Sequence, residues 1–324
     1  MSEQDGLLYG FRLDGQGGGT PLDWTGLDGL RDDDSVLWVH LHRDGQETRR
    51  WLAEHAGLPA LALDALLAEE TRPRAQAFAN GLLLILRGVN LNPGADPDDM
   101  VSLRLWISGN RVISVRKRRL MAVQDLAQTL ENGHGPRSLG DFVPTLLHGL
   151  IERMGDVVLG MEEELDRLEE AVTEQGRADL RARLNRERHK AISLRRYVAP
   201  QREAVARLLV EPPAWLDAPA RERVRELQDR VTRYVEALDE IRERAGVIQD
   251  ELAARLAEQL NQRMYVLSIV AAVFLPLGFL TGLLGINVAG IPGAETSWAF
   301  AAVAGGLLIV AGVLVGLFRR LSWL

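Results

Sequence analysis

The spacing of apolar residues divides the chain into three stretches. Up to about residue 145, short runs of strand-like alternation take turns with runs of helical spacing. SVLWVHLH (Ser35–His42) alternates and predicts a strand, and QETRRWLAEHAGL behind it has the period of a helix. LPALALDALLAEE (Leu58–Glu70) predicts another helix, stopped by Pro73. RAQAFANGLLLILRGVN places two strands around Asn80-Gly81, a dipeptide suited to tight hairpins, and SLRLWISGNRVISVR places two more around Gly109-Asn110. LMAVQDLAQTLENG predicts a helix ending near Gly133. The expectation for 1–145 is an α/β/α-type domain with a largely antiparallel sheet and helices packed around it.

From about Ser138 the period is helical and stays so through MEEELDRLEEAV until Gly176. A second helix, RADLRARLNRERHKAISLRRYVAPQREAVARLLV, ends at the prolines of EPPAWLDAP. A third starts near Pro219 and meets no proline before Pro276. It predicts one continuous helix from about Ala220 to Leu284, about 65 residues or about 97 Å long. A helix of that length needs neighbours, either the preceding helices or copies of itself.

The last stretch is almost bare of charge. MYVLSIVAAVFLPLGFLTGLL (264–284) and WAFAAVAGGLLIVAGVLVGLF (298–318) are each 21 residues without a formal charge. A helix needs about 20 such residues to cross a hydrocarbon core, so both read as transmembrane spans. Arg255 and Arg263 precede the first span, Arg319 and Arg320 follow the second, and the loop 285–297 holds one acid, Glu295, and no base. The positive-inside rule then places the large N-terminal part and the tail 319–324 in the cytoplasm, with the loop outward. Tyr265, Trp298 and Trp323 fall near the expected interfaces. The resulting organisation is a cytoplasmic α/β domain over 1–145, a helical and stalk region over 146–263, and a transmembrane region over 264–324.

Composition narrows the chemistry. The 324 residues include no cysteine, which excludes disulfides, cysteine-ligated zinc and thiol catalysis. The first twenty residues have no basic start and no long apolar core, so no cleavable signal peptide is expected. A net charge of −7 speaks against nucleic acid as a partner. The arginines of Arg181–Arg196 read as a solvated face, with contact to the acidic MEEELDRLEE as an extra role. Six histidines are present, none in either span. His40 and His42 share one strand face; a structural or surface role stands beside metal binding with a further partner. No paired carboxylates, triad or cofactor loop suggests an enzyme, and no cofactor is expected.

Stepping along the third helix by alternating threes and fours gives Asp250, Ala254, Ala257, Asn261, Met264, Ser268, Ala271, Leu275, Gly278, Gly282 and Gly285. The seam is heptad-like, yet most members are small or polar. Two compatible readings stay open. Small residues let helices pack closely in a membrane. They also keep a narrow axial pathway open, with Met264 and Leu275 as dry constrictions and Asp250 as a carboxylate ring that attracts cations.

Two C-terminal spans, an outward loop and Gly285-Ile286-Asn287 at the end of the first span resemble the CorA superfamily of divalent-cation transporters. The usual family triplet is Gly-Met-Asn. GINVAGIPG, with EETRPR at Glu69–Arg74, is similar to the zinc-transporting ZntB-type branch. The resemblance implies a homopentamer with a funnel-shaped cytoplasmic domain in a bacterial inner membrane, five first spans around the pore and five second spans outside. It implies a selectivity ring at Gly285, Ile286 and Asn287, with Asn287 meeting the metal through water. Asp250, Met264, Leu275 and Gly278 fall at pore-facing positions of the family. Neutral amide oxygens can hold a hydrated divalent ion without stripping its water. Glu295 either raises cation concentration at the outer mouth or is a solvated loop residue. Arg319 and Arg320 anchor the tail at anionic headgroups.

Zinc as the transported ion rests on the resemblance alone; magnesium, cobalt or nickel passage is the alternative within the superfamily. A membrane-tethered sensor or scaffold is the alternative of another class, and it gives no reason for Asn287 or the small-residue seam. Proton coupling would have to run through Glu295, cytoplasmic acids such as Asp250, or water, because neither span holds an ionisable acid, base or histidine.

Overall fold

The computed structural model describes residues 5–28, 35–173, 178–285 and 296–320. The chain forms two compact units, Met1–Gln249 and Asp250–Leu324.

The first unit opens with strands β1 (Leu7–Leu13) and β2 (Gly19–Pro21) and a short helix α1 (Trp24–Asp28). Strand β3 (Leu37–His42) is followed by helices α2 (Gln46–Glu54) and α3 (Ala60–Leu67). Two hairpins come next, β4 (Arg74–Phe78) with β5 (Gly81–Gly88) and β6 (Val101–Ser108) with β7 (Arg111–Arg116). Both turns fall where the sequence places them, and Gly109 takes the positive φ of 55° that its turn requires.

The seven strands form one sheet in the order β2-β1-β3-β7-β6-β5-β4. Every neighbouring pair is antiparallel except β3 and β7, which run parallel, with His40 opposite Ser114. The sequence reading contains neither β1 nor β2. The β1 run LLYGFRL is apolar on both faces and broken by Gly10, while β2 has only three residues beside a glycine-rich turn. That turn is built by Asp14, whose Oδ1 accepts from the amides of Gln16 and Gly18 at 2.7 and 2.9 Å. Those amides hold the Asp14 carboxyl below its ordinary pKa.

Alternation along the central strands feeds two cores. Leu83, Ile85, Trp106, Ile113 and Val39 face α2 and α3, joined by Trp51, Leu52, Ala62 and Leu66. Leu84, Leu86, Leu105, Val112 and Trp38 face the other layer, with Leu126 of α4 (Met121–Glu131) and Phe142 of α5 (Leu139–Thr173). The α/β/α arrangement read from the sequence is the one observed. Each fully buried large apolar side chain contributes about 1.5–3 kcal/mol.

The second core continues into a helical layer of α5, α6 (Ala178–Val210) and α7 (Ala218–Leu284). Ser138 caps α5, its Oγ accepting from the amide of Asp141 at 3.1 Å; Asp217 caps α7 through the amide of Ala220 at 2.9 Å. Helix α7 runs 67 residues without interruption. The arginines read as a solvated face are partly engaged: Arg183 reaches Glu164 of the acidic stretch at 2.6 Å, and Arg195 reaches Asp239 at 2.6 Å. Gly176, read as the break between α5 and α6, lies outside the described residues.

The second unit holds the rest of α7 and helix α8 (Ala299–Arg320). Each contains an uncharged window long enough to cross a bilayer, and neither window is buried within the chain.

Candidate ion-pathway face and its surroundings

Asp250, Ala254, Ala257, Asn261, Met264, Ser268, Ala271, Leu275, Gly278 and Gly282 all lie on α7, and every one is exposed. At about 100° per residue they occupy an arc of about 120°, drifting by about 20° per heptad. A row with that drift stays on one side only if the helices that share it wind gently around each other. Met264 and Leu275 are its two large members, 62 % and 73 % exposed.

Other sides of the same segment are treated differently. Ile269, Val273, Leu277 and Leu280 are partly shielded and fall away from the small-residue row, and Ala272, also partly shielded, lies at its edge. On α8 a matching row of Ala304, Leu307, Ala311, Leu314 and Phe318 is partly shielded at helical spacing. The small and polar row of α7 is exposed along its length, and so are Val266, Leu267, Val270 and Phe274 on other sides of the helix, so the row is set apart by its composition.

Polar groups in this segment are few and turned inward on their own helix. Ser268 Oγ donates to the carbonyl of Met264 at 2.8 Å, leaving its lone pairs outward. Thr281 Oγ1 donates to the carbonyl of Leu277 at 3.0 Å. Pro276 has no amide to give to the carbonyl of Ala272, one turn before it. At the helix end the amide of Gly285 bonds to the carbonyls of Thr281 and Gly282, at 2.9 and 3.2 Å. Ile286, Asn287 and Glu295 lie outside the described residues. Arg319 and Arg320 occupy the last turn of α8, where cations complement the exposed carbonyls.

No group of three His, Asp or Glu side chains among the described residues is arranged to hold a metal ion. His40 is fully buried, with Nδ1 2.7 Å from Ser114 Oγ and its ring stacked on Tyr9. Burial holds its pKa well below the ordinary value, helped by Arg116 and His42. His42 Nδ1 accepts from the amide of Asp44 at 3.3 Å. The structural role of the pair is the one their partners fill.

One cluster escaped the sequence reading. Arg43, Arg87 and Arg104 lie on one face of the sheet beside the segment that follows α3. The alternation in SLRLWIS hides it, because Arg104 falls in phase with Ser102 and Ser108 and out of phase with Leu103, Leu105 and Ile107; Trp106 alone marks that face as covered.

A family profile described as CorA-like Mg2+ transporter protein matches residues 33–320. The chain is 42 % identical over 330 residues to the divalent cation transporter CmaX of Pseudomonas aeruginosa, covering 99 % of this chain and 98 % of that one. It is 33 % identical over 322 residues to the zinc transport protein ZntB of Pectobacterium atrosepticum, covering 99 % and 97 %. The solved structure of full-length CmaX superposes with a TM-score of 0.87 over 99 % of both chains, at 42 % identity. With two apolar C-terminal helices and relatives that are transporters, this is a membrane protein and not an enzyme. The chain belongs to the CorA family, as its resemblance to that superfamily anticipated.

Proposed function

We propose that the protein transports divalent cations, zinc among them, and takes up hydrated Zn2+ along the axis of a homopentamer. It sits in the bacterial inner membrane with both termini in the cytoplasm, the span 264–284 lining the axis and the span 298–318 outside. The reading is carried by one observation: the small and polar residues of α7 follow one another along a single arc of the helix and are exposed. A face of Ala, Ser and Gly lets helices approach an axis closely and keeps a narrow passage between them.

In this reading Asn287 forms the outer ring, with Gly285 ending the helix beneath it and Ile286 between them. Its amide oxygens accept hydrogen bonds from the waters around the ion, which suits a cation that sheds its shell reluctantly. Glu295 concentrates cations at the periplasmic mouth, and Asp250 does so on the cytoplasmic side. Asn261, Met264, Ser268, Ala271, Leu275, Gly278 and Gly282 line the passage between them. Arg319 and Arg320 hold the tail against anionic headgroups. An inside-negative potential drives a divalent ion inward by about 4.6 kcal/mol per 100 mV. Any proton dependence works through Glu295, Asp250 or water.

A second reading keeps the pathway and changes the ion to magnesium, cobalt or nickel. It is favoured by the absence of an arranged metal-ligand cluster among the described residues, since passage of a hydrated ion depends little on zinc-specific ligands. Flux into proteoliposomes with each of the four ions, with and without a pH gradient, separates the two. Zinc flux that falls at least tenfold in Asn287→Ala is the expected result. No zinc flux under any gradient refutes the zinc reading, and flux indifferent to Asn287→Ala refutes the ring.

A further inference from the structure

A cavity of about 530 Å3 opens between β1, the segment after β2 and α4, a size suited to a small organic molecule. Tyr9, Pro21 and Leu22 are among its lining residues. The Tyr9 ring is held by its neighbours, with centre-to-centre distances of 5.8 Å to His40, 5.9 Å to Trp38 and 6.3 Å to Phe11. Three stacked partners fix an aromatic surface that a planar ligand can pack against. Register orders this part of the lining. Arg116 pairs with His42 on one side of β3, Tyr9 pairs with His40 on the other, and Phe11 pairs with Pro21 beyond. Cation, ring and apolar wall therefore follow one another across the sheet.

The charged groups of the cavity are divided between two ends. Arg116 and Arg119 line it together with Gln124 and Glu131 of α4. The Gln124 side-chain oxygen accepts from Nε and Nη2 of Arg119, at 3.1 and 2.6 Å, in the amide orientation that satisfies both groups. One edge of the guanidinium is thereby anchored, and its Nη1–Nη2 end keeps N–H groups for another acceptor. Gln124 is neutral, so the bond positions the charge without cancelling it. Arg116 is buried, and its charge is felt nearby, since it helps to depress the pKa of His40. Glu131 lies seven residues beyond Gln124 on the same face of α4, about 10 Å along its axis. At that distance two solvated charges interact by only about 0.4 kcal/mol. The arginines and the acid are separate binding points.

We propose that this cavity binds an adenine mononucleotide, with the phosphate on Arg119 and Arg116, the base against Tyr9, and its exocyclic amine donating to Glu131. The spacing decides the class. A lone phosphate or a small carboxylate reaches only the arginine end and leaves Glu131 and the apolar wall unused. An adenine nucleotide carries a phosphate, a flat ring and an amine donor in that order, over a length like that between Gln124 and Glu131. Guanidinium groups suit the phosphate, which they meet with paired, charge-assisted hydrogen bonds. The cavity lies in the unit that the proposed topology puts in the cytoplasm, where such nucleotides occur. Bound there, the nucleotide bridges α4 and β1. The assignment is independent of which cation the protein transports.

The test titrates the full chain in detergent with AMP in metal-free buffer. Saturable binding with a dissociation constant below about 1 mM is expected. Inosine monophosphate, whose ring carries an oxygen in place of the amine, should bind about tenfold more weakly. Arg119→Gln should weaken AMP about tenfold. Glu131→Gln should bring the two nucleotides to similar affinities, because a carboxamide can meet either ring. Both side chains are exposed, so neither variant removes a core contact. As a second readout, AMP should raise the melting midpoint of the unaltered protein and leave that of Arg119→Gln unchanged. No saturable binding of AMP, affinity unchanged in Arg119→Gln, equal binding of the two nucleotides by the unaltered protein, or inorganic phosphate competing as strongly as AMP would each overturn the assignment.

Discussion

His40 Nδ1 lies 2.7 Å from Ser114 Oγ, across the one parallel strand pair of the sheet. The same hydroxyl oxygen accepts from Trp38 Nε1 at 2.8 Å, so the imidazole is built into a buried polar row. Its folded pKa is depressed by burial first, then by Arg116 and His42. The unfolded chain therefore takes up a proton near pH 6.5 that the folded chain refuses. The His40 contribution is complete above that pH and is lost as pH falls below it. Melting midpoints from pH 7.5 to 5 should decline, and His40→Gln should flatten the decline while lowering the midpoint at pH 7.5.

Arg244 on α7 bonds to Glu169 at 2.5 Å and Asp166 at 2.8 Å on α5. Those bonds raise its pKa, but its side chain is 36 % exposed and the acids more so. Solvent screening keeps the gain small, and Arg244→Gln should cost about 0.5–1 kcal/mol. The difference from the unaltered protein should shrink in 0.5 M salt, where the Debye length is about 4–5 Å. A double-mutant cycle with Glu169→Gln measures the coupling.

Two glycines should respond oppositely to a methyl group. At Gly81 a Cβ would stand 2.7 Å from the Ile107 carbonyl oxygen and 2.6 Å from the Trp106 ring. Backbone and indole cannot both retreat, so Gly81→Ala should destabilise by about 1–3 kcal/mol. At Gly160, within α5, nothing lies within 4 Å of the added carbon. Gly160→Ala should stabilise by about 0.5–1 kcal/mol through helix propensity. Denaturant melts of both variants check the pair.

The proposed constriction at Leu275 predicts a change in rate without a change in preference. Leu275→Ser should wet the passage and raise zinc flux severalfold, leaving the zinc-to-magnesium ratio as it is. Flux that stays constant, or a ratio that shifts, would remove Leu275 from the proposed pathway.

Much of this was legible because the signals are local. Asn80-Gly81 and Gly109-Asn110 fix their hairpins within a few residues, and Ser138 caps α5 by a bond to Asp141 three positions on. The small-residue row is likewise a matter of spacing on one helix. What could not be read depends on distant partners. β1 declares itself only by its pairing with β3 and β2, and β3 only then meets β7, more than seventy positions along. Arg104 is in phase with Ser102 and Ser108 on its strand, and only the fold brings Ala68 and Arg43 over it.

The parallel pairing of β3 with β7 also sets the order in which the protein can be made. Leu37–His42 leaves the ribosome with its partner Arg111–Arg116 still unsynthesised. At about 5–20 residues per second, roughly 4–15 seconds pass before that partner exists. For that interval LWVHLH can pair on one side with β1 and presents its other edge to the cytosol. A nascent chain stalled between His42 and Arg111 should be a preferred client of ribosome-associated chaperones, and one stalled well beyond Arg116 should not.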